Sequence, residues 1–396
     1  MRKTFKYRAY ATQQQDLEFD EMLDEHRNLY NAALEQRLTA WHDHGIGVWY
    51  YQQAADLTEA RAELNWVSCG SASAQQATLR RLDVNYRQFV TGDRGRPRFC
   101  SQQRFRSVTF PAYGDGIKIV NINGGMARLR VKGLKGHLKF RLHRSLLGKI
   151  KTVTLKREST GKWSVTFSCD DVPLSPEPMT GSVIGVDLGV ATKAALSNGE
   201  KITDQSFLNH DLAKLAKQQR LVSGRQRGNN RQSKARHQVA VTHAKISRKR
   251  RDANHKLSRK LVHEHDLIIF ENLSPAKMTS GKGKNLNRSV RDQGWSQLIQ
   301  FTVYKAQEAG KQIELINPRN TSRECAECGE IDKRSRCSRD QFLCVSCHYA
   351  ADADFNAAQV IKKRGLQGLA KKNAKLNNSG LGSSLKSKLD LEAVAL

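Results

Sequence analysis

The chain has 396 residues, 38% of them hydrophobic, and carries 67 Lys and Arg against 38 Asp and Glu, a formal net charge of +29. No apolar run reaches the roughly eighteen residues of a membrane-spanning helix, and Met1-Arg-Lys-Thr-Phe5 opens no hydrophobic signal region, which excludes a membrane protein and predicts a cytoplasmic one of two or three domains. A positive excess this large goes beyond what solubility needs and predicts a polyanionic partner, nucleic acid before an anionic membrane.

From the N-terminus, Lys3 to Ala9 alternates as a strand with Phe5 and Tyr7 on one face. Residues 13–42 read as a helix whose buried stripe is Phe19, Leu23, Tyr30, Ala33, Leu34 and Leu38. Eleven acids against three arginines between Asp16 and Glu63 predict an outer face turned away from the nucleic-acid path. A second helix is expected to start near Ser73, with Ser73 and Gln76 as a capping box. Its stripe of Leu79, Leu82, Tyr86 and Phe89 packs inward and leaves Gln75, Gln76, Arg80 and Arg81 to face a ligand. Gly92-Asp-Arg-Gly-Arg-Pro97 stops it.

Five short strands follow: Ile117–Ile122, Ala127–Val131, His137–Leu142, Lys149–Lys156 and Trp163–Cys169, the last two closed as a hairpin at Ser159-Thr160-Gly161. Basic and apolar residues alternate in Arg128-Leu-Arg-Val-Lys132 and Lys139-Phe-Arg-Leu-His-Arg144, the pattern of a small barrel with one basic face that grips phosphates, or of a solvated sheet surface. Pro173 to Pro178 reads as a linker.

The second half opens on the apolar strand Ser182-Val-Ile-Gly-Val-Asp187, followed by Leu-Gly. A strand end holds a carboxylate rigidly, and the glycine admits a close backbone or phosphate. Lys193–Leu196 and Lys201–Asp204 supply two further strands, the way an RNase H-like sheet begins. Between Asp211 and Lys260 stand sixteen Lys and Arg, in two helices broken at Gly224 to Asn230; Arg225, Arg248, Lys249 and Arg250 are candidate nucleic-acid contacts there, as Gln76 and Arg80 are upstream. His265 to Glu271 is an apolar strand ending in a glutamate that burial would penalise unless it were paired or metal-bound. Ser280 to Asn287 reads as a substrate-proximal loop, Asp292 to Ala309 as a core-facing helix through Trp295, Leu298, Phe301, Val303 and Tyr304, and Gln312 to Ile316 as a strand.

Cys325-x2-Cys328, fifteen residues and Cys344-x2-Cys347 have the spacing of two knuckles that hold one zinc ion. Cys69, Cys100, Cys169 and Cys337 are scattered, as reduced thiols would be. Asp354 opens a helix seven residues after the last thiol of the set.

Taken in order, Gly185-Val-Asp187-Leu-Gly189, Phe270-Glu271-Asn-Leu-Ser274, Pro318-x-x-Thr321-Ser322-x-x-Cys325-x-x-Cys328-Gly329, Cys344-x-x-Cys347 and Asp354-x-Asn356-Ala-Ala358 resemble TnpB, the RuvC-type RNA-guided DNA endonuclease of bacterial insertion sequences and a relative of type V CRISPR effectors. Tyr7-Arg8-Ala-Tyr10, Arg27-Asn-Leu-Tyr30-Asn31 and Gly95-Arg-Pro97-Arg-Phe99 extend the likeness, so that it covers residues 1–365. The resemblance implies an α+β multidomain protein: a basic β-barrel, or wedge, of 1–12 and 106–172; an inserted helical recognition domain, 13–105; an RNase H-like RuvC nuclease domain, 181–320 and 351–365; and an inserted zinc ribbon, 321–350. Residues 366–396 match nothing in that pattern, and their wealth of Lys, Gly, Asn and Ser predicts a basic, disordered tail. The resemblance implies that Asp187, Glu271 and Asp354 hold two Mg2+ ions, that Arg336 or, in reserve, Arg339 completes the site, and that Cys325, Cys328, Cys344 and Cys347 hold one structural Zn2+. It also implies a monomeric ribonucleoprotein with a guide RNA from the transposon end, cutting double-stranded DNA beside a short flanking motif.

Three departures leave alternatives open. His348 replaces the family's glycine after the last cysteine and competes as a ligand, Cys337 is a spare thiol between the pairs, and Asp352 stands two residues before Asp354. An RNA-guided repressor that does not cleave, and a guide-independent RNase H-like transposase, are the rival functions; the first is expected to have lost acids or zinc ligands, and none is missing.

Overall fold

Strand β1 (Lys3–Tyr10) pairs antiparallel with β7 (Trp163–Asp170) over seven positions, from Lys3 with Cys169 to Ala9 with Trp163, and passes to β5 (Leu138–Arg141) only at Ala9 and Tyr10. It lies at the middle of a seven-stranded antiparallel sheet, β2-β6-β7-β1-β5-β4-β3, completed by β2 (Ser107–Phe110), β3 (Ile117–Asn123), β4 (Met126–Val131) and β6 (Lys149–Arg157). This is a computed structural model that describes residues 1–203, 207–273 and 292–378, with Met278, Asn287 and Val290 as isolated positions. Contacts divide the chain into two units, Met1–Pro173 and Leu174–Leu396.

In the first unit, period-2 alternation puts Phe5, Tyr7, Leu129, Val131, Phe140, Val153, Leu155, Val165 and Phe167 in one core. The alternate positions Arg128, Arg130, Lys139 and Arg141 are exposed. Helix α1 (Gln13–His44) starts at a Thr12–Gln15 capping box and stops where Gly45 turns left-handed, φ 65°. Phe19 stacks on Trp163 at 4.2 Å and docks this helix on the sheet. Several acids of α1 serve the fold: Asp16 accepts from Trp163 Nε1 at 2.6 Å, Arg157 pairs with Asp20, and Glu18 accepts from the Lys135 amide at 2.9 Å.

Helices α2 (Tyr50–Glu63) and α3 (Asn65–Ser68) have no clean apolar stripe and escape a periodicity search. The next helix, α4 (Ala72–Val90), is capped by Ser71, whose Oγ accepts from the Ala74 amide, and not by Ser73. Gln75, expected to face a ligand, is buried and tied to Glu25, Arg61 and the Val67 carbonyl, because the turn it faces is closed by Gly70.

The second unit is built on a five-stranded sheet, β10-β9-β8-β11-β12: β8 (Val183–Asp187), β9 (Thr192–Leu196), β10 (Lys201–Thr203), β11 (Leu267–Glu271) and β12 (Gln312–Ile316). β8, β11 and β12 run parallel, while β9 pairs antiparallel with β8, and β10 antiparallel with β9. On one face, Ile184, Val186, Ile268 and Phe270 pack with α6 (Asn230–Glu264) and α7 (Trp295–Ala309) through Leu257, Leu261, Trp295 and Leu298. On the other, Leu267, Ile269 and Ile316 meet Ile361 of α8 (Ala353–Asn378). Strand β11, flanked by β8 and β12, is buried on both faces, hence its unbroken apolar run.

Helix α5 (Phe207–Ser223) pairs with α6 around the expected break. Val303, expected in the core, is 43% exposed, because α7 turns only one stripe to the sheet. The helix α8 continues through 366–378, part of the expected disordered tail: Leu369 packs on the sheet core, and Lys372 pairs with Glu314 at 2.6 Å. The loop expected at 280–287 lies outside the described residues, apart from Asn287.

Candidate active site and zinc centre

On β8 and β11, the residues of odd number face α8, so Asp187 and Glu271 end two neighbouring parallel strands on the same side of the sheet. Asp354 lies in the first turn of α8. The helix can approach because Gly185 has no side chain: a Cβ there would stand 2.3 Å from the Ala358 carbonyl oxygen. The result is a cleft of about 910 Å³ lined by Asp187, Glu271, Asp354, Arg336, Arg339, Thr321 and Ser322, among others.

The electrostatics of the cleft are unbalanced. Burial, then the charges of Glu271 and Asp354, push the Asp187 carboxyl up to about 7, and Arg336 only partly opposes them. Burial also raises Glu271, which is 7% exposed, against a hydrogen bond from Thr321 and the charge of Arg364. Arg336 Nη2 is 3.8 Å from Asp354 Oδ1 and donates to the Arg339 carbonyl at 3.0 Å. Arg339, although it lines the same cleft, leans toward Asp340 at 3.9 Å.

Asp352 has a different place. It pairs with Lys201 at 2.6 Å, accepts from the Phe355 amide at 3.0 Å as the cap of α8, and is not among the residues lining the cleft.

The sulfur atoms of Cys325, Cys328, Cys344 and Cys347 all lie within 4.8 Å of one another. Among the described residues, no other three His, Cys, Asp or Glu gather so closely, the three cleft carboxylates included. The two knuckles match: the amides of Gly329 and His348 donate to the carbonyls of Cys325 and Cys344 at 3.0 and 3.1 Å, and both residues are left-handed, φ 78° and 61°. His348 therefore occupies a glycine position and is exposed, outside the cysteine set. Cys337 is exposed and also outside it. Amides of Ser346 and Cys347 point at Cys344 Sγ (3.4 and 3.5 Å) and lower its pKa, so a thiolate is already favoured; four convergent sulfurs fit zinc.

Sequence reasoning gave no role to the bonds that join the ribbon to α8. Asn356 donates to the Glu324 carbonyl at 2.8 Å and accepts from the Ala326 amide at 3.0 Å. Arg364 binds Glu324 through Nε at 2.8 Å and the Arg319 carbonyl through Nη1 at 2.7 Å. A fully buried Asn one turn into an otherwise apolar helix face was the available signal.

Of the candidate nucleic-acid contacts, Arg248 and Lys249 are exposed on α6, and Arg80 is exposed on α4 with its guanidinium 5.1 Å from the Tyr50 ring. Gln76 is half-buried. Arg225 donates to the Arg231 carbonyl at 2.5 Å, and Arg250 is committed to Asp292 at 2.8 Å.

A mixed sheet thus carries acids at two parallel strand ends, a third acid on the covering helix and a four-cysteine ribbon before that helix. Three family profiles match in chain order: "Helix-turn-helix domain" over residues 1–45, "Probable transposase" over 160–281, and "Cas12f1-like, TNB domain" over 295–361. A protein named "Putative RNA-guided DNA endonuclease" from Streptomyces pristinaespiralis is 32% identical over 373 residues, spanning 92% of this chain and 90% of its own. "Putative RNA-guided DNA endonuclease InsQ" of Escherichia coli (strain K12) is 29% identical over 378 residues, with 92% of each chain covered. A solved Cas12f1–sgRNA–target DNA complex superposes with a TM-score of 0.59 at 15% identity, over 88% of this chain and 82% of that one, a likeness of fold. The chain belongs to the TnpB family.

Proposed function

We propose that this protein is an RNA-guided DNA endonuclease of a transposable element, in which Asp187, Glu271 and Asp354 hold two Mg2+ ions and Arg336 completes the site. The reading rests on one observation above all, the convergence of these three acids on one cleft beside Arg336 and Arg339. Relatives that bear the name RNA-guided DNA endonuclease over nine-tenths of their length support the activity.

Three acids against one close guanidinium leave the cleft with excess negative charge, which adds to burial in raising Asp187. Divalent cations fit such a cleft; when bound, they would polarise the scissile phosphate and generate the attacking hydroxide from water. The chain's own part is positional. Strand ends fix Asp187 and Glu271, the capped first turn of α8 fixes Asp354, and Arg336, beside Asp354, would offset the charge that a bound phosphate gains in the reaction.

On this reading, residues 1–12 and 106–172 form a wedge barrel around a helical recognition domain, 13–105. Residues 181–320 and 351–365 form the RuvC domain, interrupted by the zinc ribbon 321–350. The guide RNA comes from the transposon end, the target is double-stranded DNA beside a short motif, and the working form is a monomeric ribonucleoprotein in the cytoplasm. Backbone binding falls to the α5–α6 arm. Lys234, Arg236, Lys245, Arg248, Lys249 and Arg251 have no carboxylate partner among the described residues, whereas Lys256, Arg259 and Lys260 are paired with Asp252, Glu177 and Glu200.

The test is expression beside the native flanking DNA, sequencing of the copurifying RNA, and cleavage of a plasmid library with randomised flanks. Asp187→Ala is expected to abolish cutting and keep RNA-dependent DNA binding. Activity without RNA would favour a transposase, and cutting by Asp187→Ala would refute the site.

A further inference from the structure

The second layer of the cleft points to a positioning residue. Thr321 is 3% exposed, and its hydroxyl donates to Glu271 Oε1 while lying 3.1 Å from the Pro318 carbonyl. Among the described residues no donor reaches the other oxygen of Glu271, although the side chain is only 7% exposed and lines the cleft. One carboxylate oxygen is thus tethered and the other presented.

The tether is itself held. Thr321 lies in the turn Pro318–Glu324, which Asn320 enters in a left-handed conformation, φ 64°. Glu324, 9% exposed, closes that turn with its amide on the Asn320 carbonyl at 3.0 Å. From α8, Arg364 reaches Glu324 Oε2 through Nε at 2.8 Å and the carbonyls of Arg319 and Asn317 through Nη1 at 2.7 and 3.4 Å. One guanidinium therefore spans both ends of the turn, from the same helix that carries Asp354. A side chain that can leave its ligand geometry must be reordered each time an ion binds, and a fixed hydrogen-bonded partner removes that cost.

We propose that Thr321 orients Glu271 for metal binding and that Arg364, acting through Glu324 and the Pro318–Glu324 turn, holds Thr321 in place. This rests on the proposed role of Glu271 as a metal ligand. Thr321 lines the cleft, and its role here is exerted through Glu271. Its removal shifts ion affinity and leaves nucleic-acid binding and zinc content unchanged. Arg364 ties the turn to α8 by geometry as well as charge, so lysine, with one ammonium in place of a fork, replaces it only in part.

The experiment uses the full chain as its ribonucleoprotein, with Mn2+ as the spectroscopic probe. Mn2+ binding is followed by electron paramagnetic resonance on complexes with an uncleavable phosphorothioate target, and cleavage is followed against Mg2+ concentration. Thr321→Val is expected to weaken Mn2+ binding and raise the half-saturating Mg2+ by about 10–100-fold, with cleavage recovering at high Mg2+. Thr321→Ser, which keeps the hydroxyl, is expected to match the parent, and Arg364→Lys to fall between. Equal Mn2+ affinity in Thr321→Val and the parent would overturn the proposal; so would a Thr321→Ser variant as weak as Thr321→Val. If Thr321→Val loses zinc, the Arg364→Lys titration decides in its place. Cutting by Asp187→Ala overturns the site reading itself, whereas a dead Asp187→Ala beside an unaltered Thr321→Val overturns only the role of Thr321.

Discussion

Arg336 Nη2 stands 3.8 Å from Asp354 Oδ1, which links the loop between the two cysteine pairs to the first turn of the helix after the ribbon. Arg336 also opposes the elevation of Asp187, so it acts on two of the three acids. Arg336→Ala is expected to lower the cleavage rate by about 100-fold, the scale for loss of one preorganised donor. Arg339→Ala, whose side chain leans to Asp340, is expected to cost less than about fivefold by the same measure. Single-turnover cleavage of a plasmid target separates the two.

On the proposed reading, the same loop couples zinc binding to cleavage. Chelation that releases one zinc per chain, measured with a metallochromic dye, is expected to free Arg336 from its position and reduce cleavage at least as much as RNA-dependent DNA binding. Loss of binding with undiminished cleavage per bound complex would show that the ribbon acts only in binding.

Gly185 is where β8 meets α8, with the Ala358 carbonyl oxygen 2.3 Å and the Lys362 amide 2.7 Å from a hypothetical Cβ. Helix backbone cannot swing away as a flexible side chain would. Gly185→Ala is expected to cost about 1–3 kcal/mol in chemical denaturation and to move Asp354 away from Asp187, lowering cleavage more than binding.

His348 pays for a left-handed backbone, φ 61°, that glycine adopts freely. His348→Gly is expected to stabilise the ribbon by about 0.5–1 kcal/mol, less what glycine adds to the freedom of the unfolded chain. The measurement is slower zinc release to a competing chelator; faster release would mean that the imidazole contributes to the centre.

His26 predicts an acid-sensitive first unit. Buried at 2% exposure against Thr78 Oγ1 at 2.8 Å, its imidazole is pushed down to about 4 from the ordinary 6.5. Between those values the unfolded chain binds the extra proton, so the stability present above pH 6.5 is lost as pH falls toward 4, by about 3 kcal/mol. Urea titrations at pH 7 and pH 4.5 test this, and His26→Gln is expected to flatten the difference.

Much of this molecule is legible in one dimension because its signals are local. Alternation gave six of the seven strands from Lys3 to Asp170 but missed Ser107–Phe110, whose four residues are too few to show a period, and the cysteine spacing fixed the sulfur set, since two C-x2-C turns impose the geometry of a knuckle. Apolar runs ending in acids marked Asp187 and Glu271 as strand ends. Tertiary structure decided what depends on distance between elements. Asp352 and Asp354 are two residues apart and chemically alike, yet Lys201 and the helix cap take one while the cleft takes the other. Likewise Arg336 and Arg339 differ only in where a loop turns their side chains, and Gln75 was withdrawn from the surface by Glu25 and Arg61. Hydrogen bonds and ion pairs between remote segments, such as Thr321 with Glu271 and Arg364 with Glu324, leave no periodicity in the sequence because their strength depends on where the fold brings the partners.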